Sequence, residues 1–583
     1  MANHFYLPFE EKENFDYKKL NEFEKYQLSF HPERPKYLDY LTIFSDTKIC
    51  FSSKAFGACL IQTHRATIEI GGEKIPVMLI GQQTGPTSDY NELKQLLQNS
   101  AEMHNWNDGM PTPASFERAL KAINAANKEN RIIIIFVDTP GADPTEASEA
   151  GGIAWRIGDT IHALAEAKVP TISIIMNRAC SGGAIGLTGC DIILAMEFST
   201  YLVITPEACS SILFHTRSRA NEAASASQIT SREGYELGIV DELVPEPDGP
   251  AHRHKAAAMA TLKVKLEQAI IRLQSIPIEN LQSNRIERWS KIGQWSETTM
   301  KEVRAIQRPV SRLPKPKKDG YLKRHKGCYT PNGIHQYDPV RYDQLAANGF
   351  VCQTCGFRYV RPSIWDMMDI ILDKNSFVEH PQTKLIIDKD ILGFPEYQEK
   401  LIKTRQNTGL MTAMITGDAT LNDTNILFCG ADFGFLGASF CMTTGEKIWR
   451  AAEIAIEKKS PMVLVAAGGG ARMHEGCSSM VSIPKSHVAI TRVEQAGLPV
   501  ITIITDPTLG GVAIGYGSRG TRLFLKHAGN IGFSGRRVIE QYTGHKTSKD
   551  FQTVPWLHKH GHVKNIVTLT NIREKIASLL LNR

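Results

Sequence analysis

No run of eighteen apolar residues occurs in the sequence, so no conventional membrane-spanning helix is predicted. The opening MANHFYLPFEEKENFDYKK alternates acidic and basic groups and has no apolar core, so no secretory signal is predicted either. Charge of one sign is scarce. The formal excess is only +6, and basic residues gather in 308–326, RPVSRLPKPKKDGYLKRHK. That argues against a nucleic-acid-binding surface spread over the chain. Cysteine is thin, with eleven residues scattered through 583, which excludes a disulfide framework and fits a reducing cytoplasm. The length is too great for one hydrophobic core, so two or more domains are expected.

What the sequence does contain is a repeat. Residues 169–186, VPTISIIMNRACSGGAIG, and residues 498–515, LPVITIITDPTLGGVAIG, overlay without a gap, and eight of the eighteen positions are identical. Each reads as a buried β-branched strand, a polar turn, and a Gly-Gly pair that opens a small-residue helix. Backbone N–H groups at a helix start lack partners, and paired glycines let a ligand oxygen approach them. An oxygen gaining negative charge can be held there. Gly182, Gly183, Gly510 and Gly511 are therefore the candidate catalytic residues. Close packing of strand on helix is the plainer use of the same glycines.

Further strands are predicted at 74–80, 131–137 and 191–196, with helices over 115–127, 153–167 and 252–300. In the second half, strands are predicted at 425–429, 461–465 and 499–504. Strand–helix–strand alternation means an α/β fold with parallel pairing. Each half has a glycine-bearing turn after one strand, Thr139–Ala142 in the first and 467–473 in the second, and a Gly-Gly helix start after the next. The repeat is far longer than a solenoid unit and reads as a duplicated domain. Between the halves lies the Pro- and Lys-rich linker, then Cys328 and a Cys352-Gln-Thr-Cys355-Gly knuckle.

These residues resemble the carboxyltransferase component of bacterial acetyl-CoA carboxylase. HPERPKYLDY, GMPTPASFERAL, FVDTPGAD, SGGAIG and FSTYLVITPEACSSIL are similar to its α subunit. CQTCG, GADFGFLGASF, GGGARMHEG, QAGLPVITIITDPTLGGV and IGFSGRRVIEQ are similar to its β subunit. Both subunits stand in one chain, α-like first. The resemblance implies an α/β fold of two crotonase-like (ββα spiral) domains. Their expected bounds are 1–307 (α-like) and 361–583 (β-like), with the linker at 308–327 and a zinc-ribbon-like module at 325–360. It also implies an active site where an α-like and a β-like domain face each other.

The implied reaction moves a carboxyl group from carboxybiotin, on a separate carrier protein, to the α-carbon of an acyl-CoA, with acetyl-CoA giving malonyl-CoA. Two oxygens gain charge in that transfer: the thioester oxygen and the ureido oxygen of biotin. By position, Gly182 and Gly183 match the α subunit's pair, and Gly510 and Gly511 the β subunit's. The sequence leaves open which pair holds which oxygen; the expected arrangement has biotin on Gly182 and Gly183 and the acyl-CoA nearer the β-like half. Gly141, Ala142, Gly469 and Gly470 are expected to line the same cleft, or else to be plain turn residues. Neither glycine stretch has a His–Asp or Cys–His couple at its turn, which is consistent because biotin's ureido nitrogen can take the α-proton. Zinc is expected on Cys328, Cys352, Cys355 and His325, with His335 in reserve. Biotin carboxylase and a biotin carboxyl carrier protein are the implied partners, and a homodimer the implied assembly. A membrane and nucleic acid are not expected partners.

Some positions depart from the family pattern. His474 stands where glutamine is usual and reads first as a surface or capping residue. Arg536 and Arg537 stand where the family more often has Pro-Arg, and read either as contacts for CoA phosphates or, by default, as solvated arginines. Cys180 and Cys209 read as small buried fillers. The segment GQQTGPTSDYNELKQ lacks the basic groups of the family's corresponding stretch. Two other functions stay open at this point. One is a carboxyltransferase or decarboxylase for a different acyl thioester. The other is an RNA-binding or regulatory protein using the cysteine module.

Overall fold

The computed structural model describes residues 16–51, 60–96, 106–292, 340–355 and 357–581, with short pieces at 298–299, 308–309, 311, 313–315 and 320–322. His325, Cys328 and His335 lie outside these residues. The chain divides into two compact units. The first comprises Met1–Gln294, Asp390–Tyr397 and Ala471–Val488. The second comprises Trp295–Lys389, Gln398–Gly470 and Ala489–Arg583.

The sheet of the first unit is built from β1 (Ser45–Ile49), β2 (Ile61–Ile70), β3 (Glu73–Gln82), β4 (Ile132–Thr139), β5 (Thr171–Cys180), β6 (Ile192–Met196), β7 (Thr200–Leu202) and β8 (Glu242–Val244). The order is β1-β2-β3-β4-β5-β6-β8, with β7 beside β5. The hairpin pairings β1–β2 and β2–β3 are antiparallel, and the rest are parallel. The IIIIFV and TISII runs supply β-branched side chains to both faces, which suits strands covered on both sides.

On one face, Ile132, Ile134, Phe136, Ile172 and Ile174 pack with Leu262, Leu266, Ile270 and Leu273 of the helix Lys255–Gln274. Each such aliphatic side chain contributes roughly 1.5–3 kcal/mol by leaving water. The helix Pro113–Glu129 packs on β2 and β3 and against the helix Ile153–Ala165. Pro113 opens it after Thr112, and Asn130, in a left-handed conformation at φ +52°, closes it.

The second unit repeats this plan. A two-stranded piece, β9 (Tyr321–Leu322) and β10 (Val340–Arg341), precedes its main sheet. The main strands are β11 (Val378–Glu379), β12 (Met414–Leu421), β13 (Thr424–Ala431), β14 (Met462–Gly469), β15 (Val500–Leu509), β16 (Thr521–Leu525), β17 (Ile531–Gly532) and β18 (Ile566–Val567). They run β11-β12-β13-β14-β15-β16-β18, with β17 beside β15. The two sheets thus match strand for strand, as the duplicated sequence predicts. The protein is α/β with two mixed sheets. Among the described residues, no helix is long and apolar enough to cross a membrane.

The repeat extends to an irregularity. In the first unit, Val137 pairs with Ile175 and Thr139 with Ala179, so β5 holds two extra residues against β4. In the second, Ala466 pairs with Ile504 and Gly468 with Thr508, giving β15 the same excess against β14. A bulge of this kind re-aims side chains at the end of a strand.

Candidate active site

Each unit has its bulge just before a sharp strand-to-helix turn. In the first, β5 ends at Cys180 and a short helix, Ser181–Ile185, follows with Gly182 and Gly183 buried in it. In the second, β15 ends at Leu509, Gly510 is the N-cap, and the helix Gly511–Ile514 follows. The two Gly-Gly pairs are offset by one position. Ser181 and Gly510 occupy the same left-handed turn, at φ +53° and +50°. Gly182 therefore corresponds to Gly511, and Gly183 to Val512.

The structure brings the candidate residues of each unit together. A Cβ on Gly183 would lie 2.6 Å from the Gly141 carbonyl carbon and 2.9 Å from the Ala142 nitrogen. A Cβ on Gly510 would lie 3.2 Å from the Gly470 Cα. Each helix start is thus packed directly on the glycine turn that follows the preceding strand. Gly141 and Gly470 adopt φ +144° and +113°, which favours glycine. Gly469 is exposed at the end of β14.

Gln82 fixes the first of these junctions. Its amide donates to the Gly183 carbonyl at 2.8 Å, and its side-chain oxygen accepts from the Asp138 N–H at 3.0 Å. Gln83 serves the backbone of Leu38 and Gly85 in the same way. The glutamines of the charge-poor segment are thus committed to holding main chain. Cations from elsewhere reach its far end: the Lys36 ammonium donates to the Thr87 carbonyl, and Lys255 to Ser88 at 3.1 Å. Burial pushes Lys36 down to about 8, with Arg178 adding to the effect against the pull of Asp138.

The bulge of β5 carries residues that sequence reasoning missed. Arg178 Nε lies 3.1 Å from Asp138 Oδ1, and the Asn177 amide donates to Asp138 Oδ2 at 2.9 Å. Arg34 donates to Asn177 at 2.7 Å and pairs with Glu246 at 2.9 Å. All five side chains are buried. HPERP contains Arg34, but nothing local ties it to residues more than 140 positions away.

In the second unit, the bulge carries Asp506, which pairs with Arg358 at 2.5 Å and accepts from Asn530 at 3.1 Å. These residues line a cavity of about 940 Å³ at the C-terminal ends of β13, β15 and β16. Ligands of open α/β sheets bind at such ends. His527, in its wall, is held down at about 4 by burial, reinforced by Lys526 and Arg358.

Other expectations meet mixed outcomes. His474 is not on the surface. It is buried, stacks on Tyr397 at 4.4 Å and meets the edge of Phe394 at 5.0 Å. The aromatic partners come from a distant stretch, so the local context could not reveal this. Arg536 is tied down: its guanidinium donates to the carbonyls of Ser548 and Phe551 at 2.8 and 3.0 Å. Cys180 and Cys209 are buried fillers, their thiols pushed up to about 12 and about 11 by burial.

Cys352 and Cys355 sit in a hairpin where the Cys352 N–H donates to the Phe357 carbonyl at 2.7 Å and Val351 bridges Arg358. Two thiols at that spacing on a tight turn suit half of a zinc site. Among the described residues, no group of three or more His, Cys, Asp or Glu is placed to hold a metal.

Comparison with known proteins gives the family. Residues 7–293 match the model of the acetyl co-enzyme A carboxylase carboxyltransferase-like family, and residues 364–571 match the carboxyl transferase domain. The acetyl-coenzyme A carboxylase carboxyl transferase subunit alpha of Chlorobium luteolum is 35% identical over 294 residues, covering 48% of this chain and 82% of that protein. Among solved structures, transcarboxylase 12S aligns over 95% of this chain and 91% of its own, at 14% identity and a TM-score of 0.29. A Pseudomonas malonate decarboxylase hetero-dimer aligns over 37% and 85%, at 19% identity and the same TM-score. Scores this low decide nothing about function. The family matches cover both halves in order, and this chain belongs to the acetyl-CoA carboxylase carboxyltransferase family, with an α-like domain and a carboxyl transferase domain in one polypeptide.

Proposed function

We propose that the chain is the carboxyltransferase of an acetyl-CoA carboxylase, moving a carboxyl group to the α-carbon of acetyl-CoA to give malonyl-CoA. Beyond family membership, one observation carries the reading. The same strand, bulge, left-handed turn and helix start occurs in both sheets, each packed on a glycine turn. A transfer in which two oxygens gain negative charge calls for two such sets of backbone donors.

Carboxybiotin, on a biotin carboxyl carrier protein charged by a biotin carboxylase, supplies the carboxyl group and a ureido nitrogen able to take the α-proton. The chain's own residues supply position and dipoles. Gly182, Gly183 and Ala142 offer N–H groups to the ureido oxygen of biotin, while Gly141, whose N–H donates to the Thr139 hydroxyl at 3.2 Å, shapes the turn beside them. Gly511 and Gly470 offer theirs to the thioester oxygen as it gains charge, while Gly510, whose own N–H donates to the Gly532 carbonyl at 3.0 Å, shapes the turn and Gly469 sits at the rim. The crotonase-like reading of both domains is supported by the paired mixed sheets.

Zinc on Cys352, Cys355, Cys328 and His325 would be structural, closing the ribbon at 325–360, and no chemical step runs through it. The assembly is a homodimer in the cytoplasm.

The test runs the reaction backwards. Purified protein with malonyl-CoA and free biotin should form acetyl-CoA only when biotin is present, and propionyl- and longer malonyl-type thioesters rank the acyl preference. Absence of biotin-dependent turnover for every thioester would sink the proposal.

A further inference from the structure

Gln82 is the last residue of β3, and its side chain is buried. β3 and β4 pair only as far as Gly81 with Phe136. The Asp138 N–H lies two residues past that ladder, opposite the bulge of β5, and the Gln82 side-chain oxygen accepts from it at 3.0 Å. The other end of the same amide meets a second backbone group. The helix Ser181–Ile185 has five residues, too short to satisfy its own carbonyls. Gln82 donates to the Gly183 carbonyl at 2.8 Å. One buried amide thus spans the end of β4 and the helix start after β5, with both its polar ends used.

The two segments it joins carry the N–H groups assigned above to the ureido oxygen. Gly141 and Asp143 donate to the Thr139 hydroxyl and the Pro111 carbonyl, at 3.2 and 3.1 Å. The Ala142 N–H between them has no acceptor among the described residues. It lies against Gly183, where an added Cβ would come within 2.9 Å of the Ala142 nitrogen. Donors from two separate segments serve one oxygen only if their spacing is fixed before the ligand arrives.

The second unit has no such brace. Matching the last paired residues, Gly81 of β3 and Gly430 of β13, sets Gln82 against Ala431. The two glycines pack alike: an added Cβ would strike Tyr37 in one unit and Ile364 in the other. A methyl group cannot bridge two backbone groups. In that unit the Gly470 carbonyl accepts from the Phe440 N–H at 2.7 Å instead. Sheet and helix therefore assemble on this plan without a bridging amide, so the fold alone does not call for Gln82.

On the carboxyltransferase reading above, we infer that Gln82 is a positioning residue for carboxyl transfer. It sets the spacing between the Ala142 and Gly183 N–H groups around the ureido oxygen of biotin. It touches no reacting atom and acts through the two backbones it holds.

The test follows acetyl-CoA formation from malonyl-CoA with free biotin, in the wild type and in Gln82→Leu, Gln82→Glu and Ile68→Ala. Gln82→Leu fills the space with no polar group. Its kcat should fall roughly 10²-fold, the scale of a misplacement of about 1 Å, while KM for malonyl-CoA is unchanged. Amide hydrogen exchange over 138–143 should quicken in that variant. Gln82→Glu keeps the acceptor for the Asp138 N–H but turns an ionised oxygen on the Gly183 carbonyl. It must take up a proton to donate, so its turnover relative to the wild type should climb as pH is lowered. Asp138, the titratable group in contact with this side chain, is already paired with Arg178. Ile68 is buried at the far end of the β2–β3 hairpin, opposite Ile75. Ile68→Ala should lower the thermal midpoint and leave both kcat and the exchange of 138–143 as they are.

Wild-type kcat in Gln82→Leu overturns the inference. So does an equal loss of kcat in Ile68→Ala, because activity then follows stability alone, and so does a flat pH response of Gln82→Glu. A wild type without biotin-dependent turnover is a separate result: it sinks the carboxyltransferase reading, and the role of Gln82 falls with it.

Discussion

Ser181 and Gly510 hold the same left-handed turn, at φ +53° and +50°, each one residue past the last residue of its strand. A side chain in that conformation costs roughly 1–2 kcal/mol, which glycine avoids. The second unit therefore has the relaxed version of the turn and the first unit the strained one. Ser181→Gly should stabilise the first unit by up to about 1 kcal/mol, read as a rise in thermal midpoint. Gly510→Val should have the opposite fate. A β-branched residue there is strained and lies against Gly470, so turnover should drop about 10²–10³-fold. An unchanged midpoint for Ser181→Gly together with normal turnover for Gly510→Val would refute the equivalence.

Gly183 differs from Val512, its counterpart, because the space beside it is filled. Any Cβ there meets the Gly141 and Ala142 backbone at 2.6–2.9 Å, and backbone cannot swing aside. Gly183→Ala should therefore act through structure as well as chemistry. We expect a loss of about 1–3 kcal/mol in stability along with lost turnover. The check is urea unfolding alongside kinetics. A fully stable, fully active Gly183→Ala protein would contradict the close packing.

Asp138 is the acceptor for both Arg178 and Asn177 at the β5 bulge, and its own side chain is almost fully buried. Asp138→Asn would leave Arg178 as a buried charge without its partner. Such breaks cost about 3–5 kcal/mol. Arg178→Met with Asp138→Leu, which removes both charges, should recover part of that loss in a double-mutant cycle. Strict additivity of the two single variants would show that the pair is not coupled.

His64 gives a pH dependence with a definite sign. Its ring accepts from or donates to the Tyr37 hydroxyl at 2.7 Å, and burial, with Arg118 nearby, holds its pKa at about 4 against an ordinary 6.5. The unfolded chain therefore binds a proton at higher pH than the folded one. Stability from this site is complete above pH 6.5 and is lost as pH falls from 6.5 towards 4. The loss should reach about 2–3 kcal/mol. His64→Gln should flatten that part of the stability–pH curve, measured by urea unfolding at pH 7 and pH 4.5. An equal slope in both proteins would exclude His64 as the source.

Metal content decides the ribbon. Freshly purified protein should contain about one zinc per chain, and Cys355→Ser should lower it. Protein that contains no metal, with the thiols of Cys352 and Cys355 reacting readily, would remove zinc from the proposal. If His335→Ala loses the metal and His325→Ala does not, the fourth ligand is the other histidine.

The sequence alone determined the duplicated α/β plan, because hydrophobic period and glycine punctuation are local and survive in each copy. It also marked both glycine turns and both helix starts, because a left-handed turn and a close backbone approach demand small residues wherever they occur. The burial of Cys180 and Cys209 was legible from residue type, because free cysteine is among the side chains most often buried. Tertiary structure decided the rest. The one-residue offset between the glycine pairs stands in the gapless overlay of the two stretches, but that Ser181 and Gly510 share a positive φ at the turn was decided by the fold. The Arg34, Glu246, Asn177, Asp138 and Arg178 network joins segments far apart in the chain, and a charged residue in a sequence gives no sign of whether it will be buried or what will neutralise it. The cavity of the second unit depends on the same long-range closure, because Arg361, Lys526 and Lys549 share its wall only when the sheet brings their separate segments to the C-terminal ends of its strands.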